Sequence, residues 1–439
     1  MALPSNFLQT VQTYQESELA YLLNLCCFVN TANTKFKDFE NFEGNLGDTV
    51  TFDLPPRYVT TASLVATFQT SQQRVQNLTV DQAVSASYAF TNQQFIFNVR
   101  DYMEKFGKSA VTELGNNIEA TIAKTANSSV QVMTVNGQGQ SVPTGALHTE
   151  SGPYRFFGDG ITPINSYGQL SNMLAAYRNY GAAKDKIKVY LSDIAVPQIV
   201  NTGLNQFTID RGNEDAMSWM VGNWLGVDYY QSNLLPIQNA GNVGNNGRTL
   251  TLVSTNDPTG ANVTALTFSD TTATDANAIK SGDLAQFQDG VANQLNIRFL
   301  TFIGHAPCAQ PVQFRATADA ATSGSSVTVN IIPALCWQNG NANQNLTSAL
   351  VAGMQVKFLP SHRAGLIVGG DSLYLAMPRL PDQSPFVTAN EADPDTGVSM
   401  RLYYGTLFGQ NQMGWVHDCA FGVTGVPEYQ MRIVFPVTQ

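Results

Sequence analysis

Between Arg248 and Lys357 nearly every apolar run is short, β-branched and alternating, and on both sides of that stretch the pattern is different. The runs are Leu250 to Val253, Val263 to Phe268, Leu295 to Phe302, Val312 to Ala316 and Val327 to Ile332, broken by turn-formers such as Ser323-Gly-Ser-Ser326. Period-two alternation buries one face of a strand, so the stretch predicts a self-contained β-rich domain. Asn239 to Asn246, rich in Asn and Gly and free of charge, reads as the linker into it. After Pro360 a mixed character returns, with strand-like Leu373 to Met377, Val398 to Tyr404 and Met431 to Val437, and a hairpin tip at Asn390 to Gly397. The chain therefore predicts an α+β core interrupted by a β-domain of roughly 120 residues, an arrangement that requires the insertion's ends to lie close together. Two echoes inside the insertion, Ile279 to Phe287 and Leu350 to Phe358, share an apolar–Gly–apolar–Phe pattern, too few copies for a repeat fold.

The flanks supply helices. Asn98 and Asp101 form an N-terminal signature for a long helix to about Ala126, with Met103, Phe106, Ala110, Leu114, Ile118 and Ile122 on its apolar side. Gly107 and Gly115 weaken that helix by about 1 kcal/mol each, so tertiary packing must hold it and the glycines mark close approach. Ser166 and Gln169 make a capping box before Leu170, Met173, Leu174 and Tyr177, with Gly181 as the stop. A strand at Ile187 to Leu191, a helix from Ser192-Asp193 to near Gly203 and a strand region at Trp219 to Tyr229 follow.

The first 45 residues read as an arm. Leu19, Leu22, Leu23, Cys26 and Cys27 fall at helical spacing, with Glu16 and Glu18 near the start, and so short a segment needs a partner surface. A turn cluster at Asn41 to Asp48 leads into the strand Thr49 to Leu54, stopped by Pro55-Pro56. Strand-like Tyr58 to Phe68 and Tyr88 to Phe97 flank a polar middle and predict a two-stranded excursion, which is marginal in water unless it lies against something.

Charge narrows the function. The 439 residues carry 23 Lys+Arg and 33 Asp+Glu, 13% of the chain against about 25% in soluble proteins. Few solvating side chains leave much of the surface for contact with neighbours. The net charge of −10 disfavours a primary grip on DNA. The longest apolar run, Leu19 to Val29, holds Asn24 and is too short for a membrane span; no basic residue precedes Lys35, so the reading is an intracellular, soluble protein. Five cysteines, two of them adjacent, fit reduced thiols.

The search for chemistry returns little. There is no Gly-x-Ser-x-Gly, no phosphate-binding Gly-x-x-x-x-Gly-Lys loop, no His-Glu-x-x-His and no Cys-x-x-Cys, and Gly137-Gln-Gly139 lacks the rest of a dinucleotide fingerprint. His305 and Cys308 with His417 and Cys419 form a two-His, two-Cys set, weighed against ordinary residues of two domains; the latter is favoured. Asp393 to Gly397 has a calcium-loop flavour but Tyr404 stands where a bidentate Glu belongs, so it reads as a solvated turn. Lys184, Lys186 and Lys188 read as a solvated face. No catalytic, cofactor-binding or metal residue is assigned; the expectation is a protein that is not an enzyme.

The order arm, excursion opening at Gly47-Asp-Thr-Val-Thr-Phe52, long helix, α/β unit, inserted β-domain with Lys280-Ser-Gly-Asp283 and Phe314 to Ile332, and the Pro378 to Phe408 hairpin region resembles the major capsid proteins of tailed bacteriophages. That is the Hong Kong 97-like fold, and the layout is most similar to coat proteins of short-tailed enterobacterial phages with a telokin-like inserted I-domain. The resemblance implies an N-arm at 1–45, an E-loop at 46–97, a peripheral domain with its spine helix at 98–164, an axial domain beginning at 165–236, the β-barrel-like I-domain at 237–357 and an axial and peripheral return at 358–439. It implies a virion capsid assembled in the host bacterial cytoplasm from pentamers and hexamers, with a scaffolding protein, a portal protein and enclosed double-stranded DNA touched only weakly, and no membrane. Cross-linked members of the family use an E-loop lysine; residues 46–97 here contain none, so the expected lattice contacts are non-covalent. Asp53, Arg57, Arg74 and Asp81 are the candidate subunit contacts, and Glu16 and Glu18 the candidate contacts to a basic scaffold segment. The inserted domain is expected to aid folding of the discontinuous core and to place loops between capsomers. The competing readings are a cellular nanocompartment shell of the same fold, a phage tail or adhesion protein, and an unrecognised hydrolase.

Overall fold

A computed structural model describes residues 15–34 (apart from 17 and 24), 49–54, 58, 74–91, 107–127, 130–133, 148–181, 185–201, 220–289, 297–301, 304–370, 372–383, 386–393, 397–406 and 412–437. The body is organised on a seven-stranded mixed sheet in the order Phe156–Phe157, Gln430–Pro436, His362–Val368, Lys188–Ser192, Val227–Ser232 and Met220–Trp224, with Ile237–Gln238 also paired to His362–Val368. Both faces are buried. Val189, Leu191, Tyr229, Ile367 and Ile433 meet Leu170, Met173, Leu174 and Tyr177 of the helix Tyr167–Asn179, and Ile199 of the helix Ala195–Asn201. Their sequence neighbours Tyr190, Tyr230, Leu366 and Val368 point the other way, into a core shared with the N-terminal segment and the long helix. The predicted capping box forms: Ser166 Oγ accepts the Gln169 N–H at 3.3 Å, and Gln169 Oε1 accepts the Asn165 N–H at 2.8 Å.

A second sheet is built on the fourteen-residue strand Gln412–Gly425, which pairs with Ser399–Thr406, with Gln82–Thr91 and, at its far end, with Leu373–Ala376. The hairpin Val387–Ala392 to Ser399–Thr406 turns at the predicted tip. Thr49–Leu54, Arg74–Thr79, Val130–Met133 and His148–Ser151 form a four-stranded sheet. The excursion thus differs from a simple ribbon. Its strand Gln82–Thr91 starts within the stretch read as a polar middle and pairs with residues 412–421, so the support a ribbon needs comes from the chain's own C-terminal part. Residues 59–68 and 92–97 lie outside the described residues.

The long helix is described over Lys108–Ala126 and buries Leu114, Ile118 and Ile122, with Val111 and Glu119 beside them; its Asn98-Asp101 start lies outside the described residues.

The insertion closes on itself. Thr249–Thr255, Val263–Ser269, Ser326–Leu335, Gln313–Ala316, Leu284–Phe287 and Gln355–Phe358 pair in that order, each antiparallel to the next, and the last pairs back to the first. A closed ring of strands has no edge to protect. Its interior holds Phe268, Phe287, Phe314 and Phe358 in mutual contact, with ring centroids 5.8–6.4 Å apart. The two sequence echoes are barrel neighbours: Ala285 opposes Phe358 and Phe287 opposes Val356.

The insertion's ends lie side by side, because Ile237 and Gln238 pair with Arg363 and His362. The segment 239–246 is not a flexible linker. Asn242–Asn245 is a helical turn with Val243 fully buried. Asn245 Oδ1 accepts from the Ser361 N–H (2.8 Å) and hydroxyl (2.9 Å), and Ser361 Oγ accepts the Ala240 N–H at 2.9 Å, which latches the incoming strand to the outgoing one. The glycines are there for proximity: a Cβ on Gly244 would stand 2.1 Å from the Leu359 carbonyl oxygen. Backbone cannot move aside as a side-chain tip can, so Gly244→Ala is expected to lower stability by about 2 kcal/mol or more, read as a shift of the urea midpoint.

Candidate functional site

The partner surface that the N-terminal segment needs is supplied, over residues 15–34, by the subunit itself. Residues 15–34 run through the subunit's own core as a strap. Leu19, Leu22, Cys26, Phe28 and Val29 are buried against Val111, Leu114, Ile118 and Ile122 of the long helix and against Phe421 and Leu375. Phe28 stacks on Tyr190 at 4.2 Å, and Thr31 shares a 2.6 Å hydrogen bond with the Tyr190 hydroxyl. Gln15 Nε2 donates to Met400 O at 2.8 Å, and Asn33 exchanges backbone bonds with Leu373 and Leu375. Lys188, read as part of a solvated face, instead reaches the Thr31 carbonyl at 2.6 Å. The predicted close approach at the helix glycines is real: a Cβ on Gly115 would meet Leu25 Cδ2 at 3.1 Å, and one on Gly107 would meet Glu18 Oε1 at 2.4 Å.

Two carboxyls hold the strap, one from each side. The strap helix breaks at Cys26, which is extended, so the short helix Cys27–Thr31 begins without a side-chain cap of its own. Glu119 of the long helix replaces that cap: Phe28 N and Val29 N donate to its two oxygens at 3.0 Å each. Burial pushes the Glu119 carboxyl up to about 7, against the pull of those N–H donors. Beside it lies a cleft of about 350 Å³ lined by Cys27, Asn116, Asp193, Gln231 and Asn233 among others. Glu18 is buried too, with Oε2 3.5 Å from His417 Nδ1, while His417 Nε2 lies 3.3 Å from the Tyr88 hydroxyl. Burial pushes Glu18 up to about 7 and His417 down to about 4, so the neutral form of each is favoured.

The candidate scaffold contacts therefore part company: Glu16 is exposed and Glu18 lies inside the subunit. Asp81 is exposed at the turn between Arg74–Thr79 and Gln82–Thr91. Asp53 and Arg74 lie on paired strands, opposite Val75 and Leu54 respectively. Arg57 lies outside the described residues. His417 and Cys419 belong to the strand Gln412–Gly425, whereas Cys308 is in the insertion, donating to Asn179 O at 3.7 Å, so the two-His, two-Cys set is not brought together. Among the described residues no group of three or more His, Cys, Asp or Glu is placed to hold a metal.

Sequence reasoning missed the junction between barrel and body. Gln313 uses its side-chain amide as a strand would, accepting the Phe156 N–H at 2.9 Å and donating to Phe156 O at 3.0 Å. Arg432, fully buried, donates to Asn127 Oδ1 and Asn127 O (3.2 Å each) and to Gly282 O (3.3 Å). Arg315 also reaches Asn127 O. Burial lowers the Arg315 guanidinium to about 10 and His362 to about 3, the latter with help from Arg432. Asp283, 1% exposed, is the buried carboxylate here. Nothing in the spacing of these residues marks them as neighbours.

No protein-family model matches the sequence, and no curated protein matches it. Among solved structures the chain is similar to one described as Mycobacterium phage Che8 (9% identity, 93% of this chain and 90% of that one, TM-score 0.41). It is also similar to the capsid of Ralstonia phage GP4 (8% identity, 93% and 90%, TM-score 0.43) and to the acidic stable capsid of Helicobacter pylori bacteriophage KHP30 (9% identity, 89% and 84%, TM-score 0.38). Among the described residues no helix is long and apolar enough to cross a membrane.

Proposed function

We propose that the chain is the major capsid protein of a tailed bacteriophage, a subunit of Hong Kong 97-like design that self-assembles without covalent links into an icosahedral shell around double-stranded DNA. The observation that carries this reading is the closed barrel set between Gln238 and His362 of a mixed body, in a chain that runs strap, strand excursion, long helix, mixed sheet, barrel and return. A low charge of 13% supports it, since a shell subunit gives its surface to neighbours. On this reading 1–45 is the N-arm, 46–97 the E-loop, 98–164 the peripheral domain, 165–236 with 358–439 the axial domain and its return, and 237–357 the I-domain, whose last linking residues extend to the Ser361 latch. Exposed Asp81 faces neighbouring copies, Asp53, Arg57 and Arg74 are proposed as subunit contacts by their charge, and Glu16 is the carboxylate presented to a basic scaffold segment. Portal and scaffold partners, and assembly in a bacterial cytoplasm, belong to the same proposal.

Electron microscopy of the purified protein tests it. Closed shells of pentamers and hexamers are expected; fibres or lone small particles would overturn it, and shells loaded with protein cargo would favour a nanocompartment. Residues 46–97 hold no lysine, so boiling assembled shells in detergent is expected to release only monomer, and a ladder of linked rings on the gel would refute the non-covalent lattice.

A further inference from the structure

The strap and the body meet through two buried carboxyls, and the groups that face them are few. Cys26, Cys27 and Tyr190 face Glu119, and Asp193 lines the same cleft. His417 and Tyr88 face Glu18, whose Oε2 is buried without a hydrogen-bond partner, as is His417 Nδ1. Among the described residues neither carboxyl has a Lys or Arg within ion-pair distance. Lys188 Nζ donates to the Thr31 carbonyl of the strap at 2.6 Å. We propose that Glu18 and Glu119 make the strap a proton-operated clasp: residues 15–34 dock firmly when both carboxyls carry protons and loosen when both are ionised.

The geometry accommodates either state. Glu18 Oε2 and His417 Nδ1 stand 3.5 Å apart, each without another partner, so a proton on either atom supplies the hydrogen bond both lack, while His417 Nε2 and the Tyr88 hydroxyl share the other at 3.3 Å with donor and acceptor set by the tautomer. Protonating Glu18 removes a net charge from an apolar core. At Glu119 a protonated carboxyl keeps its carbonyl oxygen for one strap N–H and weakens the bond to the other, while the ionised form keeps both but sits buried with no Lys or Arg among the described residues at ion-pair distance.

The direction follows from proton linkage. Both carboxyls hold a proton up to about 7 when docked, against 4.5 when free. Their contribution to docking is complete below 4.5 and drains away as pH climbs through 7. His417 opposes them: its docked value of about 4 lies below the free 6.5, so it weakens docking as pH falls through that window. Two carboxyls against one imidazole leave docking strengthening as pH falls from 8 through 5 and levelling off at about pH 4. The net change between pH 8 and pH 5 is on the order of 10²-fold in the docking equilibrium.

Hydrogen–deuterium exchange of the full-length subunit at pH 5 and pH 8, normalised to intrinsic exchange, reads this directly. Peptides within 15–34 should lose protection by on the order of 10²-fold at pH 8, while the barrel strand Thr249–Thr255 stays unchanged. The double variant E18Q/E119Q, whose amides imitate protonated carboxyls, should keep the strap protected at pH 8. Equal protection of the wild-type strap at both pH values overturns the clasp, and so does a double variant with the full wild-type pH response. Should the double variant not fold, the wild-type comparison and E119Q alone still decide.

Discussion

Asp283→Ala is expected to cost about 3–5 kcal/mol, the loss seen when one side of a buried charge cluster is removed, measured as a fall in the urea midpoint. The Asp283 Oδ2 accepts the Lys280 and Gly241 N–H groups at 2.9 Å each, and Oδ1 accepts Gln238 Nε2 at 3.2 Å. Truncation leaves the buried Gly241 N–H unpaired, at about 1–3 kcal/mol, and takes the acceptor from the half-buried Lys280 N–H, while Gln238 Nε2 keeps its bond to Ser281 O. It also removes the one negative charge, among the described residues, that favours the protonated forms of Arg432 and Arg315. Asp283→Asn keeps an acceptor but not the charge, so it should fall between wild type and alanine. A loss under about 1 kcal/mol for the alanine variant would mean that the guanidiniums are balanced from elsewhere.

Asp283 shows where reading the sequence succeeded and where it could not. The string Lys280-Ser-Gly-Asp283 stood out as one of the points that carry the family resemblance, and the insertion around it was legible because alternation with period two reports one buried face. The strand Lys188–Ser192, buried on both faces, was legible instead as a short apolar run between two helix signals. The central strand His362–Val368 was not: it is buried on both faces, so its sequence carries Leu366, Ile367 and Val368 in succession with no alternation, after a His, an Arg and a Gly. The long strand Gln412–Gly425 was obscured by three glycines and the pair His417-Asp418. His417 is buried against the strap, and Asp418 pairs with Arg401 Nε at 2.9 Å, contacts across the chain that no local pattern records. Composition misread 239–246, because Asn and Gly that signal a loop also permit close packing of backbone. For the arm, an amphipathic segment states that it needs a partner without stating whose, and residues 15–34 find theirs in the subunit's own core. The candidate contact residues were picked from charge alone, and charge does not distinguish exposed Glu16 from buried Glu18.

Phe314→Ala and Gln313→Ala, adjacent in one strand, are expected to fail differently. All four residues of Gln313–Ala316 are buried, but for two reasons. Phe314 and Ala316 fill the barrel, while Gln313 and Arg315 point outward and are covered by the body at Phe156 and Asn127. Phe314 touches the rings of Phe268, Phe287 and Phe358, so truncating it removes the centre of the barrel core and should cost about 3–5 kcal/mol. Gln313→Ala leaves the barrel core intact and strips both partners from the Phe156 peptide groups, about 2–4 kcal/mol taken from docking rather than from the barrel. Native-state hydrogen exchange separates the two. Phe314→Ala should lower protection across the barrel strands, whereas Gln313→Ala should lower it at residues 154–157 and 430–436 while the barrel strands keep theirs. The same loss of barrel protection from both variants would mean that the barrel is stable only while docked, and that insertion and body fold as one unit.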